Sequence, residues 1–260
     1  MDQEQELQSI IESLNSCRSA VVTGPAAAKL MGVATLSWAT TTDLLLRDGA
    51  KPPVKSKRGG RIVYRSSYLS SSDVRILDGI AIVRPIRMLF DIFRYYGRLE
   101  CLVAIESLRN QLPRTFTIPY LLESSEHLSG SRGIREFREL IAFSVDTSQS
   151  PLETVARDIL LRIPEVTSLR AQVRISYLGE YGEPRTAFVD FLINEFVAVE
   201  LDGRVKYNGT YGDPLTIMID ERFREKKIQQ QGKLVLRFGW REVMNGEFEA
   251  EIRAFLRAFN

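Results

Sequence analysis

Acidic residues stand among apolar ones in the stretch VDFLINEFVAVELDG. Asp190, Glu200 and Asp202 occupy alternate positions of strand-like runs, and residues two apart on a strand share a face. If Asn194 and Glu195 form the turn of a hairpin, Asp190 lies opposite Glu200. A register shifted by one residue would break that pairing, so the register stays open at this point.

Carboxylates held this close together repel each other and lose hydration, so either one keeps its proton or a divalent cation lies between them. Mg²⁺ or Mn²⁺ suits such a site, with one or two carboxylates, a backbone carbonyl and several waters as ligands. A metal held there activates water for attack on a phosphodiester. Lys206 follows Asp202 by four residues and is a candidate to orient that water; a solvated loop lysine is the alternative.

Glu153 is a fourth acidic candidate. It ends the run Ser-Pro-Leu-Glu, which fits a capping box with proline at the first helical position. That structural role explains the residue on its own, and a share in the metal site, direct or through water, is the alternative. We therefore expect Asp190, Glu200 and Glu153 as metal ligands, and these three with Lys206 and Asp202 as the catalytic residues.

Structural roles remain open for the other acids as well. Asp190 and Glu200 can end their strands in a solvated turn or form an ion pair with Arg174 or Arg185. Asp202 is followed by glycine, and an Asp-Gly pair favours a turn. The group of three acids is a stronger signal than any single member.

Two basic clusters are candidates for contact with a phosphate backbone, which binds cations largely without regard to sequence. Their members are Lys51, Lys55, Lys57, Arg58 and Arg61 in the first half of the chain, and Arg222, Arg224, Lys226 and Lys227 in the second. The first cluster lies in a loop rich in proline and glycine. Glutamates interrupt the second, and an ordinary solvated helix face explains it equally well. For Tyr64, Tyr68 and Tyr207 we expect core packing, with base stacking as the alternative.

The composition excludes several classes of protein. The 260 residues include 35 Lys+Arg and 33 Asp+Glu, so any nucleic-acid contact must come from local patches. Two isolated cysteines cannot form a disulfide framework or a four-ligand zinc site. The single histidine argues against histidine-rich metal sites and histidine-dependent nucleophilic catalysis. Neither a signal peptide nor a membrane-spanning run is recognisable, so we expect a soluble cytoplasmic protein.

The polar stretch SVDTSQS, followed by proline, indicates a domain boundary, with domains at 1–147 and 148–260. The first domain is predicted to be α+β. Its expected elements are a helix at 4–15, a helix beginning at Thr23, strands at 37–46, 61–68 and 74–83, a helix at 86–110, and two shorter helices within about 118–142.

The second domain is predicted to be α/β, with the element order α-β-β-β-α-β-α. The expected elements are a helix from 151 to about 163, strands at 172–178, 186–193 and 196–203, a helix at about 219–231, a strand at 233–240, and a closing amphipathic helix.

The second domain resembles a known family. The order SPLE, a strand led by Gln172, VDFLINEFVAVELDGRVKY and DERFREKKIQQQGKLVLRFGW is similar to relatives of the very-short-patch-repair endonuclease, within the PD-(D/E)XK nuclease superfamily. The resemblance covers about residues 150–258 and implies a Mg²⁺-dependent phosphodiesterase with a mixed central sheet flanked by helices. It places the acids of the family at Glu153, Asp190 and Glu200. The sequence departs from the (D/E)-x-K element, because Asp202 stands where that element has lysine.

The first domain resembles AbiEi-type antitoxin and regulator proteins of bacterial abortive infection, from TGPAAAKLMGV through GIAIVRPIRMLFDIFRYYG. This resemblance implies a bacterial protein with a targeting, DNA-binding or regulatory domain. The partners expected are DNA and a cognate toxin or another defence-system protein. A homodimer stays open, and a membrane is not expected.

Three functions are consistent with these patterns. The leading hypothesis is a metal-dependent DNA endonuclease or nickase in bacterial defence, mobile-element or repair context. The second is a non-catalytic DNA-binding regulator or antitoxin that kept a nuclease fold, which the absence of lysine at position 202 favours. The third is a small-molecule enzyme using the carboxylates for acid and base chemistry, for which no cofactor motif is present.

Overall fold

The computed structural model describes residues 3–14, 20–46, 61–202 and 214–259, and for 214–219 only the backbone. The chain divides into two compact units, Met1–Pro151 and Leu152–Asn260, which are called the first and the second unit below. Each unit contains helices and one mixed β-sheet, so the protein has a mixed α and β fold in two parts. Within the described ranges, no helix is both long enough and apolar enough to cross a membrane.

The first unit begins and ends with helices around a five-stranded sheet. Its elements are α1 (Gln3–Leu14), β1 (Ala20–Thr23), α2 (Gly24–Leu30), β2 (Thr42–Leu46), β3 (Ile62–Tyr64), β4 (Val74–Leu77), β5 (Ile80–Val83), α3 (Pro85–Tyr96), α4 (Arg98–Gln111), α5 (Ile118–Ser124) and α6 (Ile134–Phe143). The sheet order is β3-β2-β1-β5-β4, with β1 parallel to β5 and antiparallel to β2. The core lies between this sheet and the helices, around the fully buried Phe90 and Phe137.

Three predictions for the first unit were wrong in detail. The single strand expected at 74–83 is a hairpin, β4 and β5, because Asp78 and Gly79 both have positive φ angles that suit a two-residue turn. The single helix expected at 86–110 is broken at Gly97, whose φ of 92° is incompatible with a helix interior. The short buried strand β1 before Thr23 was not predicted.

The second unit has the predicted element order, except that its closing helix is split in two at Gly246. Its elements are α7 (Pro151–Leu160), β6 (Leu169–Leu178), β7 (Pro184–Ile193), β8 (Val197–Asp202), α8 (Pro214–Gln229), β9 (Leu234–Gly239), α9 (Trp240–Asn245) and α10 (Glu247–Ala258). The sheet order is β6-β7-β8-β9, in which β6, β7 and β8 are successively antiparallel and β9 is parallel to β8. Ile228 of α8 packs against apolar side chains of this sheet, including Val189 and Ala198.

Candidate active site

Asp190 and Glu200 lie on the two strands of a tight hairpin, β7 and β8. Ile193 pairs with Val197, so three residues, 194–196, connect the strands, and the first two of them have positive φ angles, 48° and 63°. Phe191 pairs with Val199, which is the register that we predicted for this hairpin. Asp190 directly precedes Phe191 and Glu200 directly follows Val199, so the structure brings the two acids to neighbouring positions.

Gln172 of β6 links two of the candidate acids through one amide group. Its Nε2 donates to Glu153 Oε2 at 2.9 Å and to Asp190 Oδ1 at 3.3 Å. Glu153 lies in the first turn of α7 and is only 7% exposed. Gln172 also has a backbone φ of 51°, which is uncommon for a residue other than glycine. Such strained positions cluster at functional sites, and here the strain places the amide between two carboxylates.

Asp190 is oriented by a second contact at the border of the apolar core. Its Oδ2 accepts a hydrogen bond from the backbone N–H of Leu201 at 2.7 Å. Of the two apolar neighbours that we expected beside it, Leu192 is buried, but Phe188 is 60% exposed. The expectation of a fully apolar surrounding was therefore wrong on one side, because the strand face opens to solvent next to Asp190.

Glu200 is paired with two arginines through a single oxygen. Its Oε2 lies 2.8 Å from Arg224 of α8 and 3.2 Å from Arg237 of β9. Arg237 is the register partner of Glu200 on the parallel strand, which explains the contact. The other oxygen, Oε1, is buried and has no hydrogen-bond partner among the described residues. The ion-pair alternative considered for Glu200 is thus realised, although with Arg224 and Arg237 and not with Arg174 or Arg185.

The electrostatics of Glu200 reflect this arrangement. Burial raises the pKa of its carboxyl above the ordinary value, the charges of Arg224 and Arg237 oppose the rise, and the charge of Asp190 adds to it. A buried oxygen without a partner costs free energy, and a second carboxylate nearby increases that cost. Either a proton or a cation near Oε1 would relieve it.

The residues present fit a divalent cation held by two carboxylates. Mg²⁺ commonly uses one or two protein carboxylates and keeps several waters, and Asp190 with the unpaired Oε1 of Glu200 supplies such a pair. A larger cage is not formed: across the described parts of the chain, no three His, Cys, Asp or Glu side chains are placed to hold an ion together. Gln172 links Glu153 to Asp190.

The remaining catalytic candidates are at the end of β8 or beyond it. Asp202 is the last residue of that strand and is exposed, in line with the turn-like role considered for it. Lys206 lies outside the described residues, and so do Lys51, Lys55, Lys57 and Arg58 of the first basic cluster.

The described members of the basic clusters differ in their surroundings. Arg61 is exposed and donates to Ser9 Oγ at 3.1 Å. Arg222 and Lys226 are exposed on α8, while Arg224 on the same helix is the partner of Glu200. The α8 cluster is therefore divided between the solvent face and the candidate site.

Two functional candidates escaped the sequence reasoning. Arg237 looked like an ordinary strand residue, because nothing in the sequence fixes the register of a parallel strand reached through a helix. Gln172 was noted only as the start of a strand, and its left-handed backbone has no signature in the sequence. A polar residue opposite an acid on a neighbouring strand is the signal that could have identified it.

Comparisons of the chain with protein-family models, with curated proteins and with solved structures found no match.

Proposed function

We propose that this protein is a metal-dependent DNA endonuclease or nickase whose active site lies in the second unit, around Asp190 and Glu200. One observation carries the proposal: two carboxylates meet on a hairpin, and a buried oxygen of Glu200 has no hydrogen-bond partner among the described residues. A purely structural acid at this depth would be expected to have both oxygens satisfied. The resemblance of the second domain to the nuclease superfamily adds support, and the resemblance of the first domain to AbiEi-type proteins favours a bacterial defence, mobile-element or repair context.

Each side chain of the site has a role that follows from its contacts. Gln172 and the N–H of Leu201 fix the orientation of Asp190. Gln172 also keeps Glu153 beside Asp190, where Glu153 can hold a water through a hydrogen bond. Bound between Asp190 and Glu200, Mg²⁺ or Mn²⁺ would supply an acidified water and a positive charge beside the phosphate.

The arginines balance charge. Arg224 and Arg237 reduce the repulsion between the two carboxylates by pairing with one oxygen of Glu200. Their guanidinium groups are also the cations nearest to the acid pair within the described residues, in a site that has no lysine at position 202. Lys206 remains a further candidate for charge stabilisation.

A second function is favoured by the same arginines. Two cations on one carboxylate can replace a metal ion electrostatically, and the protein would then be a DNA-binding regulator or antitoxin without turnover. This candidate predicts DNA binding that is insensitive to EDTA and to Glu200→Ala, with no cleavage under any metal.

The deciding experiment is plasmid cleavage by the full chain in a series of Mg²⁺, Mn²⁺, Ca²⁺ and EDTA. We expect nicked or linear product with Mg²⁺ or Mn²⁺ and none with EDTA. Asp190→Asn should abolish the product, because the neutral amide removes one of the two negative ligands.

Glu195→Gln is the matched control. Glu195 is an acid of the same hairpin, but it is exposed and paired with Arg170 at 3.1 Å. The Glu195→Gln variant should cleave plasmid like the wild type. Intact plasmid under all metals would reject the nuclease and leave the regulator, whereas equal cleavage by wild type and Asp190→Asn would reject Asp190 as part of the active site.

A further inference from the structure

Tyr68 is an exposed aromatic residue on a loop of the first unit. Its side chain is 85% exposed, so our expectation that it packs in the core was wrong. Tyr64, four residues earlier, does pack against the core. An exposed tyrosine ring presents a flat apolar face and a polar hydroxyl, which suit contact with a planar partner.

The loop around Tyr68 is held in place by buried and half-buried groups. Arg87 donates from Nη1 to the carbonyl of Tyr68 at 2.9 Å and from Nη2 to Ser67 Oγ at 2.6 Å. Arg87 is itself fixed by Asp91, at 3.1 Å, inside the unit. On the other side, Ser70 caps a single 3₁₀ turn at Ser71–Asp73. The backbone that carries the Tyr68 ring is thus already ordered, so binding at this ring costs little backbone conformational entropy.

Two arginines lie beside the loop that carries the ring: Arg94 contacts Ser67, the residue before Tyr68, and Arg65 precedes Tyr68 by three positions in the chain. Arg94 donates to Ser67 Oγ at 3.3 Å and stacks on Tyr95, with 5.3 Å between its guanidinium carbon and the ring centroid. Arg65 stacks on the same Tyr95 ring at 4.5 Å. Arg94 is exposed and, in the part of the chain that the structure describes, no carboxylate forms an ion pair with it. Its charge is therefore available to a ligand.

The local charge balance favours an anionic partner. Residues 61–98 contain seven arginines, no lysine and three acids, which gives 7 − 3 = +4. Two of the three acids, Asp73 and Asp91, are buried and already paired with Arg87. This stretch of the sequence therefore carries more positive charge than the chain as a whole, although Arg65 is paired with Asp43, an acid outside the stretch.

We infer that the Tyr68 patch, defined by Arg65, Ser67, Tyr68, Arg94 and Tyr95, binds single-stranded nucleic acid by stacking an unpaired base on Tyr68 while Arg94 contacts the adjacent phosphate. Arg94 supplies the accessible cation of the patch, because Arg65 is paired with Asp43 at 3.1 Å. A ring combined with such a cation is the chemistry of single-strand binding, since every base has a π-face and every nucleotide a phosphate. A duplex hides its bases from such a ring. The inference goes beyond the proposed nuclease and does not depend on cleavage, because it concerns the first unit alone.

The test is the anisotropy of a labelled oligothymidylate and of a duplex of equal length, both in EDTA so that cleavage cannot interfere. The wild type should bind the single strand more tightly than the duplex. Tyr68→Ala should weaken single-strand binding about 10-fold or more, as removal of a stacking ring does in such sites. Tyr68→Phe should bind like the wild type, since the ring is retained.

The chain offers a matched control in Tyr181. This tyrosine is 89% exposed, but it lies in the β6–β7 turn of the second unit beside Glu183, whose Oε2 accepts from its backbone N–H at 3.0 Å. Tyr181→Ala should bind the single strand like the wild type. Arg94→Gln should lower both the affinity and its dependence on salt concentration.

Four results would overturn the inference. They are no measurable single-strand binding by the wild type, equal binding of Tyr68→Ala and wild type, an equal loss in Tyr181→Ala, and an equal loss of duplex binding in Tyr68→Ala. The last result would assign the patch to the phosphate backbone alone. Competition by polyglutamate as effective as by unlabelled oligothymidylate would likewise assign it to acidic polypeptides.

Discussion

Asp91 in the first unit and Glu200 in the second are both buried carboxylates paired with arginine. Burial raises the pKa of each, and the arginine charge opposes the rise. Both oxygens of Asp91 are engaged: Arg87 lies 3.1 Å from each, and Thr23 Oγ1 donates to Oδ2 at 2.6 Å. In Glu200, Oε2 takes both arginines and Oε1 has no partner among the described residues.

This difference separates a structural acid from a candidate functional one. The partner of Asp91 comes from its own helix, four residues earlier, and the pair ties α3 to the end of β1. The partners of Glu200 come from α8 and β9, and a second acid, Asp190, adds to the rise of its pKa. A buried acid and arginine alone therefore do not indicate a site, and neither does an unsatisfied oxygen alone, since Asp43 of the first unit also has one. The surroundings of Glu200 differ in that Gln172 links its neighbour Asp190 to a further acid, Glu153.

The largest expected effect concerns Glu200→Gln. Loss of one charged ligand removes several kcal/mol of transition-state stabilisation, so plasmid cleavage should fall at least about 100-fold. Unfolding of the second unit in urea, followed by Trp240 fluorescence in a Trp38→Phe background, should change little. A lower urea midpoint together with a proportional loss of activity would instead make Glu200 a structural acid like Asp91.

Asp91→Ala should affect stability, in contrast to Glu200→Gln, which should affect cleavage. It leaves Arg87 buried beside a single remaining acid, Asp73, and breaking a buried pair in this way typically costs about 3 kcal/mol. The first unit should unfold at lower urea, as reported by Trp38 in a Trp240→Phe background. Asp146→Ala, at an exposed acid 3.9 Å from Arg109, is the control and should leave the midpoint unchanged. An equal effect of the two substitutions would contradict the structural role of Asp91.

Two glycines allow a smaller comparison between the units. Gly24 and Gly246 both have positive φ angles, 63° and 87°, so alanine at either costs about 1–2 kcal/mol of backbone strain. A Cβ at Gly24 would also lie 2.8 Å from Asp43 Oδ2, whereas at Gly246 it meets nothing within 4 Å. Gly24→Ala should therefore lower the unfolding free energy of the first unit by more than Gly246→Ala lowers that of the second. Equal losses would show that the carboxylate of Asp43 moves aside freely.

The smallest effect is a pH dependence that belongs to Glu200. Because its folded pKa lies above the unfolded value, the folded state binds this proton more tightly, and its contribution to stability is lost as pH rises from the ordinary value of 4.5 through the folded pKa. The wild-type second unit should lose stability relative to Glu200→Gln over that range. A difference between the two that stays constant with pH, or that favours the wild type at higher pH, would contradict the raised pKa.

The sequence predicted local features of the second unit well. The hairpin register was predicted correctly from a turn placed at Asn194 and Glu195, within a connection of three residues, 194–196. The α-β-β-β-α-β order followed from alternating apolar residues, and only the division of the last helix at Gly246 was missed. These features depend on residues that are close together in the chain, which is why they can be predicted from a single sequence.

Features that depend on distant partners were not predictable. Arg237 reaches Glu200 only because β9 pairs with β8 in one particular register. Tyr68 was assigned to the core as a large aromatic residue although serines surround it in the sequence, and Arg87 holds its loop at the surface from nineteen positions away. In the first unit, the break at Gly97 was hidden inside a continuous apolar periodicity.

The parallel pairing of β8 and β9 also bears on the order of folding. A hairpin closes within about 1–10 μs, while a parallel pair must first close the long crossover that contains α8. We therefore expect Asp190 and Glu200 to meet before Arg224 and Arg237 arrive, so that the repulsion between the two carboxylates is uncompensated when the hairpin first forms. The docking of β9 is then the step at which the second unit both completes its sheet and neutralises Glu200.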